Sequence, residues 1–342
     1  MLLTAAACLT AMAAASTPAT AASSYPGWHK KALNVTPRAQ WNANDGYCGE
    51  TSMITAGLAF GQYTSQWTAR NLASPGVPQT RPDSQLLLGV NDTAAAAAMR
   101  LEARRAPATK NFRTFTTWAR NRFLAGDVVV VGVFNNTRML GETGAGDPTY
   151  DHIVPVYGYE SAKPLRAGRA SLGTDVLTIS DNGLRTLGPN APMLYSYTLD
   201  DIQRTRRGAN AAGGPVYSFP TSGPWYGVAV TGVLDSDHTT LPVKVAVNVN
   251  SEGVQNESAL TAAPMAEPIR LTVTLARPDN AREAVLYQYD DFASVPTGAF
   301  NAHAGDAAHV WRVPAGSGPY TVTVDAMSND TRVFRAVPAD AP

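Results

Sequence analysis

Residues 40–61 read QWNANDGYCGETSMITAGLAFG, and the fold turns on how this stretch is placed. From Cys48 to Phe60 the pattern is small and apolar on nearly every face, with Met53, Ile54, Ala56, Leu58, Ala59 and Phe60 leaving no continuous polar stripe. A helix of that kind is buried on most sides. Gly61 supplies a natural C-terminal stop. Gly46 and Gly49 flank the start, where they allow a sharp entry and close backbone approach. Cys48 is therefore predicted at the N-terminus of a central, buried helix. There the free N–H groups and the helix dipole favour a thiolate.

Working outward, the composition is that of a folded chain. Apolar residues make up 44% of the 342, charged residues 16%, and 27 basic residues balance 27 acidic ones. Zero net charge gives no electrostatic footprint for nucleic acid. Residues 1–22 resemble a secretory signal, with small residues around Ala19 to Ala22 but no basic residue ahead of them. No later segment is long and apolar enough for a membrane span. The two cysteines are Cys8 and Cys48, so removal of a signal leaves Cys48 as the sole thiol of a secreted chain. Such a thiol is either inert and buried or used for its reactivity.

The elements divide into two stretches. Helices are predicted over 48–60, 91–105 and 112–125, the second capped by Asn91 or Asp92. Strands follow at VVVVGVF, HIVPVYGYE, DVLTIS, PMLYSYTL and PWYGVAV. LDSDHTTLP reads as a linker. Beyond it VKVAVNV, IRLTVTL, AVLYQY, HVWRV, YTVTVDA and TRVFRAV alternate with period two between turn formers. The expected organisation is a signal peptide at 1–22, an α+β domain at 23–235 and an all-β sandwich of immunoglobulin or fibronectin type at 236–342.

Cysteine catalysis needs a base, a group that orients the base, and donors for the developing oxyanion. Of the five histidines, His152 alone lies downstream of Cys48 within the same predicted domain, at the mouth of a strand. The orienter is expected in the turn after DVLTIS, where either the Asp181 or the Asn182 side chain is placed to accept from the imidazole Nδ1–H; Asp181 is preferred. A turn chosen for its backbone alone is the competing explanation of Asp-Asn-Gly.

Gln40, Cys48-Gly49, Asp151-His152-Ile153-Val154 and Ser180-Asp181, in this order, resemble the papain-like cysteine peptidases, and more closely their bacteriocin-processing, double-glycine-peptidase-like branch. The resemblance covers roughly 36–232 and implies a papain-like fold, with Gln40 as the side-chain oxyanion donor beside the Cys48 N–H. Gln40 stands eight residues before Cys48, farther than the family's Gln, and Asn42 occupies the usual position. Losing one such donor costs about 3 kcal/mol of transition-state stabilisation.

The resemblance implies a secreted cysteine peptidase-like hydrolase that cleaves peptide or protein amides through a Cys48 thioester. It implies no cofactor and no metal. An acyl transferase of transpeptidase or transglutaminase type on the same residues is one alternative. A non-catalytic cell-surface protein, whose β-sandwich contacts a surface or polymer, is another. Trp41, Tyr47 and Trp67 are either groove or core, with core favoured for aromatics beside a central helix. Glu50 and Asp151 either bind a basic substrate or serve the helix start and the fold. His303, Asp306 and His309 form a remote metal possibility.

Overall fold

The computed structural model describes residues 25–136, 149–184, 193–211, 213–249, 259–277 and 282–342. The segment read as a signal, Cys8 and residues 137–148 lie outside these residues. In chain order the first elements are β1 (His29–Ala32), α1 (Cys48–Ala59), β2 (Gln62–Tyr63), α2 (Gln66–Ala73), α3 (Asp92–Ala98), β3 (Leu101–Arg105), α4 (Phe112–Ala125), β4 (Val128–Asn135) and β5 (His152–Ser161). Then come β6 (Val176–Ser180), β7 (Leu194–Thr198), α5 (Leu199–Ile202), β8 (Gln203–Arg204), α6 (Arg206–Ala209), β9 (Tyr217–Pro220) and β10 (Gly227–Val233). The remainder is all strand apart from one short 3-10 turn: β11 (Val243–Val247), β12 (Pro268–Leu275), β13 (Ala284–Tyr289), β14 (His309–Val313), β15 (Tyr320–Met327) and β16 (Arg332–Pro338). This is a mixed α+β chain with a sheet-rich body and few helices.

The main sheet runs β3-β10-β4-β5-β6-β7, with β1 on β5 and β9 on β4. All its pairings are antiparallel except β8 with β9. β4 is buried at all eight positions, as expected of a Val-rich strand covered on both faces. Val129, Val131 and Val133 face Phe115, Ala119 and Phe123 of α4. Val128, Val130 and Ile153 face Met53 and Ala56 of α1.

α1 has a second buried side. Ile54 and Leu58 pack with Val243, Leu271, Val273 and Phe334, in a core shared by two further antiparallel sheets, β11-β12-β15 and β14-β13-β16-β2. The helix is thus apolar all round because it is covered from two directions. The chain then turns at Gly61 (φ +79°), where a Cβ would meet Phe334 O and Val243 at 2.9 Å. β2 continues directly into the C-terminal sheet, Arg332 opposite Tyr63. The expected break at 235/236 is therefore not a break in the hydrophobic core. The LDSDHTTLP segment is itself pinned, with Asp235 accepting from the N–H groups of Asp237, Thr239 and Thr240.

One helix is shorter than its sequence suggests. α3 ends at Ala98, Arg100 takes a left-handed φ of +58°, and residues 101–105 form a strand against β10. The Ala-rich run and the following LEARR both suit a helix locally. Pairing with β10 and burial of Leu101 override that preference. β1 is likewise a strand only because β5 offers it an edge.

Candidate active site

Cys48 opens α1. The approach is made by three consecutive left-handed residues, Asn44, Asp45 and Gly46, at φ +51°, +61° and +87°. These are the residue types that tolerate this region. Tyr47, the N-cap, makes no side-chain capping bond, so the first-turn N–H groups are not consumed by a cap. A Cβ on Gly49 would stand 2.1 Å from Leu86 O. Only glycine lets the 84–88 segment close over the first turn, where Leu86 N donates to Glu50 Oε1 at 2.9 Å.

Beneath this loop lies Arg70 of α2, wholly buried. Its Nε pairs with Glu50 Oε1 at 2.7 Å, its Nη1 donates to Asn44 O at 3.0 Å, its Nη2 donates to Gly46 O, and its plane lies 3.6 Å from the Tyr47 ring centre. Glu50 is thus paired inside the protein and offers no charge to a basic substrate. Asp151 is likewise engaged, by Arg206 at 2.8 Å and by Asn135 N at 2.5 Å.

The backbone N–H groups of Ile153 and Gly49 act to lower the pKa of the Cys48 thiol. Both favour the anion, as the helix start was expected to do. Burial outweighs them, however. The side chain is only partly covered by area but densely ringed by protein, and with the nearby Glu50 carboxylate this pushes the thiol up to about 12. Burial thus opposes the thiolate that the helix start is expected to favour.

His152 opens β5 opposite Val133, and is 2% exposed. Alternation along the strand turns Ile153 toward α1, while the His152 ring stacks on Tyr217, 5.5 Å between centres. Its Nε2 lies 3.0 Å from Asp181 O. A carbonyl oxygen only accepts, so Nε2 carries the hydrogen, and in the neutral ring the lone pair is on Nδ1. The imidazole contact that the structure describes is with the backbone of Asp181, through Nε2, rather than with a side chain through Nδ1–H. One Asp181 carboxylate oxygen accepts instead from Gly183 N at 2.7 Å.

Asn182 does a different job from the one expected. It is fully buried at φ +51°, and its Nδ2 donates to Ile153 O (2.9 Å), Ser52 Oγ (3.1 Å) and Cys48 O (3.2 Å). It ties the start of α1 to β5.

Gln40 is buried, held by its own N–H on Asn182 O at 2.8 Å, and its Oε1 accepts from Tyr47 N at 3.0 Å. Its NH2 group has no protein acceptor among the described residues and is not sealed from solvent. Asn42, the alternative donor, has an exposed side chain. The three left-handed residues lie between Gln40 and Tyr47, whose N–H Gln40 Oε1 accepts. Trp41 and Tyr47 are core, edge to face at 5.1 Å, with Trp67 packed against them. His303 pairs with Asp306 on the surface at 3.2 Å and His309 stacks on Trp311; among the described residues no cluster of three or more metal-ligating side chains occurs.

Sequence reasoning missed Arg70, Ser52 and Tyr217. Nothing local marks them, because each acts on residues remote in the chain. No known protein family and no curated protein matches the chain. Among the described residues no helix is long and apolar enough to cross a membrane.

Proposed function

We propose that this chain is a secreted cysteine hydrolase of papain-like architecture, with an immunoglobulin- or fibronectin-like C-terminal part, cleaving amide bonds in peptide or protein substrates. The observation that carries the reading is the setting of Cys48. Cys48 opens an uncapped helix start that Gln40 joins through Tyr47, and Asn182 ties that start to Ile153, one residue from His152. In the reaction the sulfur attacks the substrate carbonyl and its proton passes to the His152 imidazole as general base. The Cys48 N–H and the Gln40 NH2 receive the oxyanion. The imidazolium returns the proton to the leaving amine, and water hydrolyses the thioester. Because burial favours the neutral thiol, proton removal accompanies attack rather than preceding it.

The test is labelling by iodoacetamide at neutral pH, followed by mass spectrometry of Cys48. His152→Ala is expected to slow labelling by about tenfold or more, in line with a general base's contribution. Equal rates in the parent and in His152→Ala, with both folded, would sink the assignment of the base.

A further inference from the structure

Arg70 touches neither the sulfur nor the imidazole, yet all but one of the polar groups it binds belong to the segment that delivers Cys48. The carbonyls of Asn44 and Gly46 turn inward onto its guanidinium, Glu50 of the first helical turn closes the ring, and Tyr47 lies flat upon it. A third carbonyl, Gln79 O, braces it from below at 3.4 Å. Three successive left-handed residues form an otherwise unfavourable path. Here they are wrapped around a buried cation.

The consequence reaches Gln40. Tyr47 is the residue on which Arg70 stacks, and Tyr47 N–H is the donor that holds Gln40 Oε1. A Cβ on Gly46 would stand 3.1 Å from that same oxygen. The amide of Gln40 is therefore oriented by the loop, and the loop by Arg70. We infer that Arg70 is a positioning residue for the oxyanion site: it fixes the Gln40 amide and the Cys48 N–H relative to each other, and acts through Gln40 rather than on the thiol. The inference rests on the cysteine-hydrolase reading above.

Two reactions of the same sulfur separate this role from general damage. Acylation by p-nitrophenyl acetate joins the Cys48 sulfur to the acetyl carbon, releases p-nitrophenolate, passes the thiol proton to His152 and develops an oxyanion. Alkylation by iodoacetamide displaces iodide and develops none. Arg70→Lys is expected to slow the p-nitrophenolate burst by about a hundredfold, the scale of one lost oxyanion donor, and to leave alkylation nearly unchanged. Gln40→Ala should do the same, and Gln40→Ala/Arg70→Lys no more than either alone, since both act through one group.

Gly46→Ala disturbs the same loop without stranding the buried Glu50 charge, and keeps the test alive if Arg70→Lys does not fold. It too should slow acylation and spare alkylation. A proportional fall in both reactions, or multiplicative losses in the double variant, overturns the positioning role while leaving the hydrolase reading in place. A burst that persists unchanged in Cys48→Ala overturns both.

Discussion

Replacing Asn182 separates two roles for the turn after β6. Its side chain is fully buried and makes three contacts from one NH2 group, to Ile153 O, Ser52 Oγ and Cys48 O. An NH2 has two hydrogens, so the three contacts amount to two bonds, each worth about 1 kcal/mol net. The backbone adds its own cost. At φ +51° an alanine is disfavoured by roughly 1 kcal/mol, whereas asparagine and glycine are accommodated. Asn182→Ala should therefore lower unfolding free energy by about 3 kcal/mol, and Asn182→Gly by about 1 kcal/mol less, since it loses the bonds but not the backbone fit. Urea denaturation followed by near-UV circular dichroism reads both. The His152 dependence of Cys48 alkylation should survive in either variant, because the imidazole is held by the backbone of Asp181. An Asn182→Ala protein of parental stability that has lost this dependence would refute the reasoning and restore Asn182 as the orienter.

The raised thiol makes stability depend on pH. Unfolded Cys48 ionises near 9 while the folded group holds its proton up to about 12, so between these values the unfolded state binds fewer protons and stability falls as pH rises. Allowing for its partial exposure, the parent should lose about 2 kcal/mol more than Cys48→Ser between pH 9 and 11; parallel stability curves would exclude the shift. Leu58, 1% exposed in the core shared with the C-terminal sheets, should cost about 2–5 kcal/mol when cut to alanine. Hydrogen exchange should then quicken in β4 and β12 together, and acceleration confined to one of them would show that the two parts unfold separately.

The parts of the fold that were legible in the sequence were those with a strong period or a lone chemical identity. The apolar run from Cys48, the amphipathic α4 ending at Gly126 (φ +103°) and the six alternating C-terminal strands all form where their patterns place them. What escaped was decided by partners elsewhere in the chain. LEARR at 101–105 is helical by propensity and a strand by pairing. The HKKA segment at 29–32 has no strand pattern at all, and is a strand because its register on β5 satisfies its backbone. At the candidate site, residue type and order single out Cys48, His152, Gln40 and the Asp181 turn as candidates. The assignment of atoms within them was not legible, because composition cannot say whether Asp181 offers its carboxylate or its carbonyl. Nor can it say that a helix start will be so covered that burial overrides the dipole.

The same covering fixes the helix that carries Cys48. Met53 and Ala56 are locked against the main sheet, Ile54 and Leu58 against the C-terminal sheets, so the helix has no free face along which to shift. Its two ends are treated differently. At the C-terminus Arg335, buried and drawn down to about 9 by desolvation, donates to Phe60 O at 3.2 Å and satisfies a carbonyl the helix cannot. At the N-terminus the Tyr47 side chain caps none of the N–H groups of the first turn. A serine or aspartate at position 47 would stabilise the helix by about 1 kcal/mol, but its side-chain oxygen would occupy the donors that an incoming carbonyl oxygen has to find. The missing cap is a local defect in helix design that the two-sided burial of α1 offsets, and it lies where an oxyanion would form.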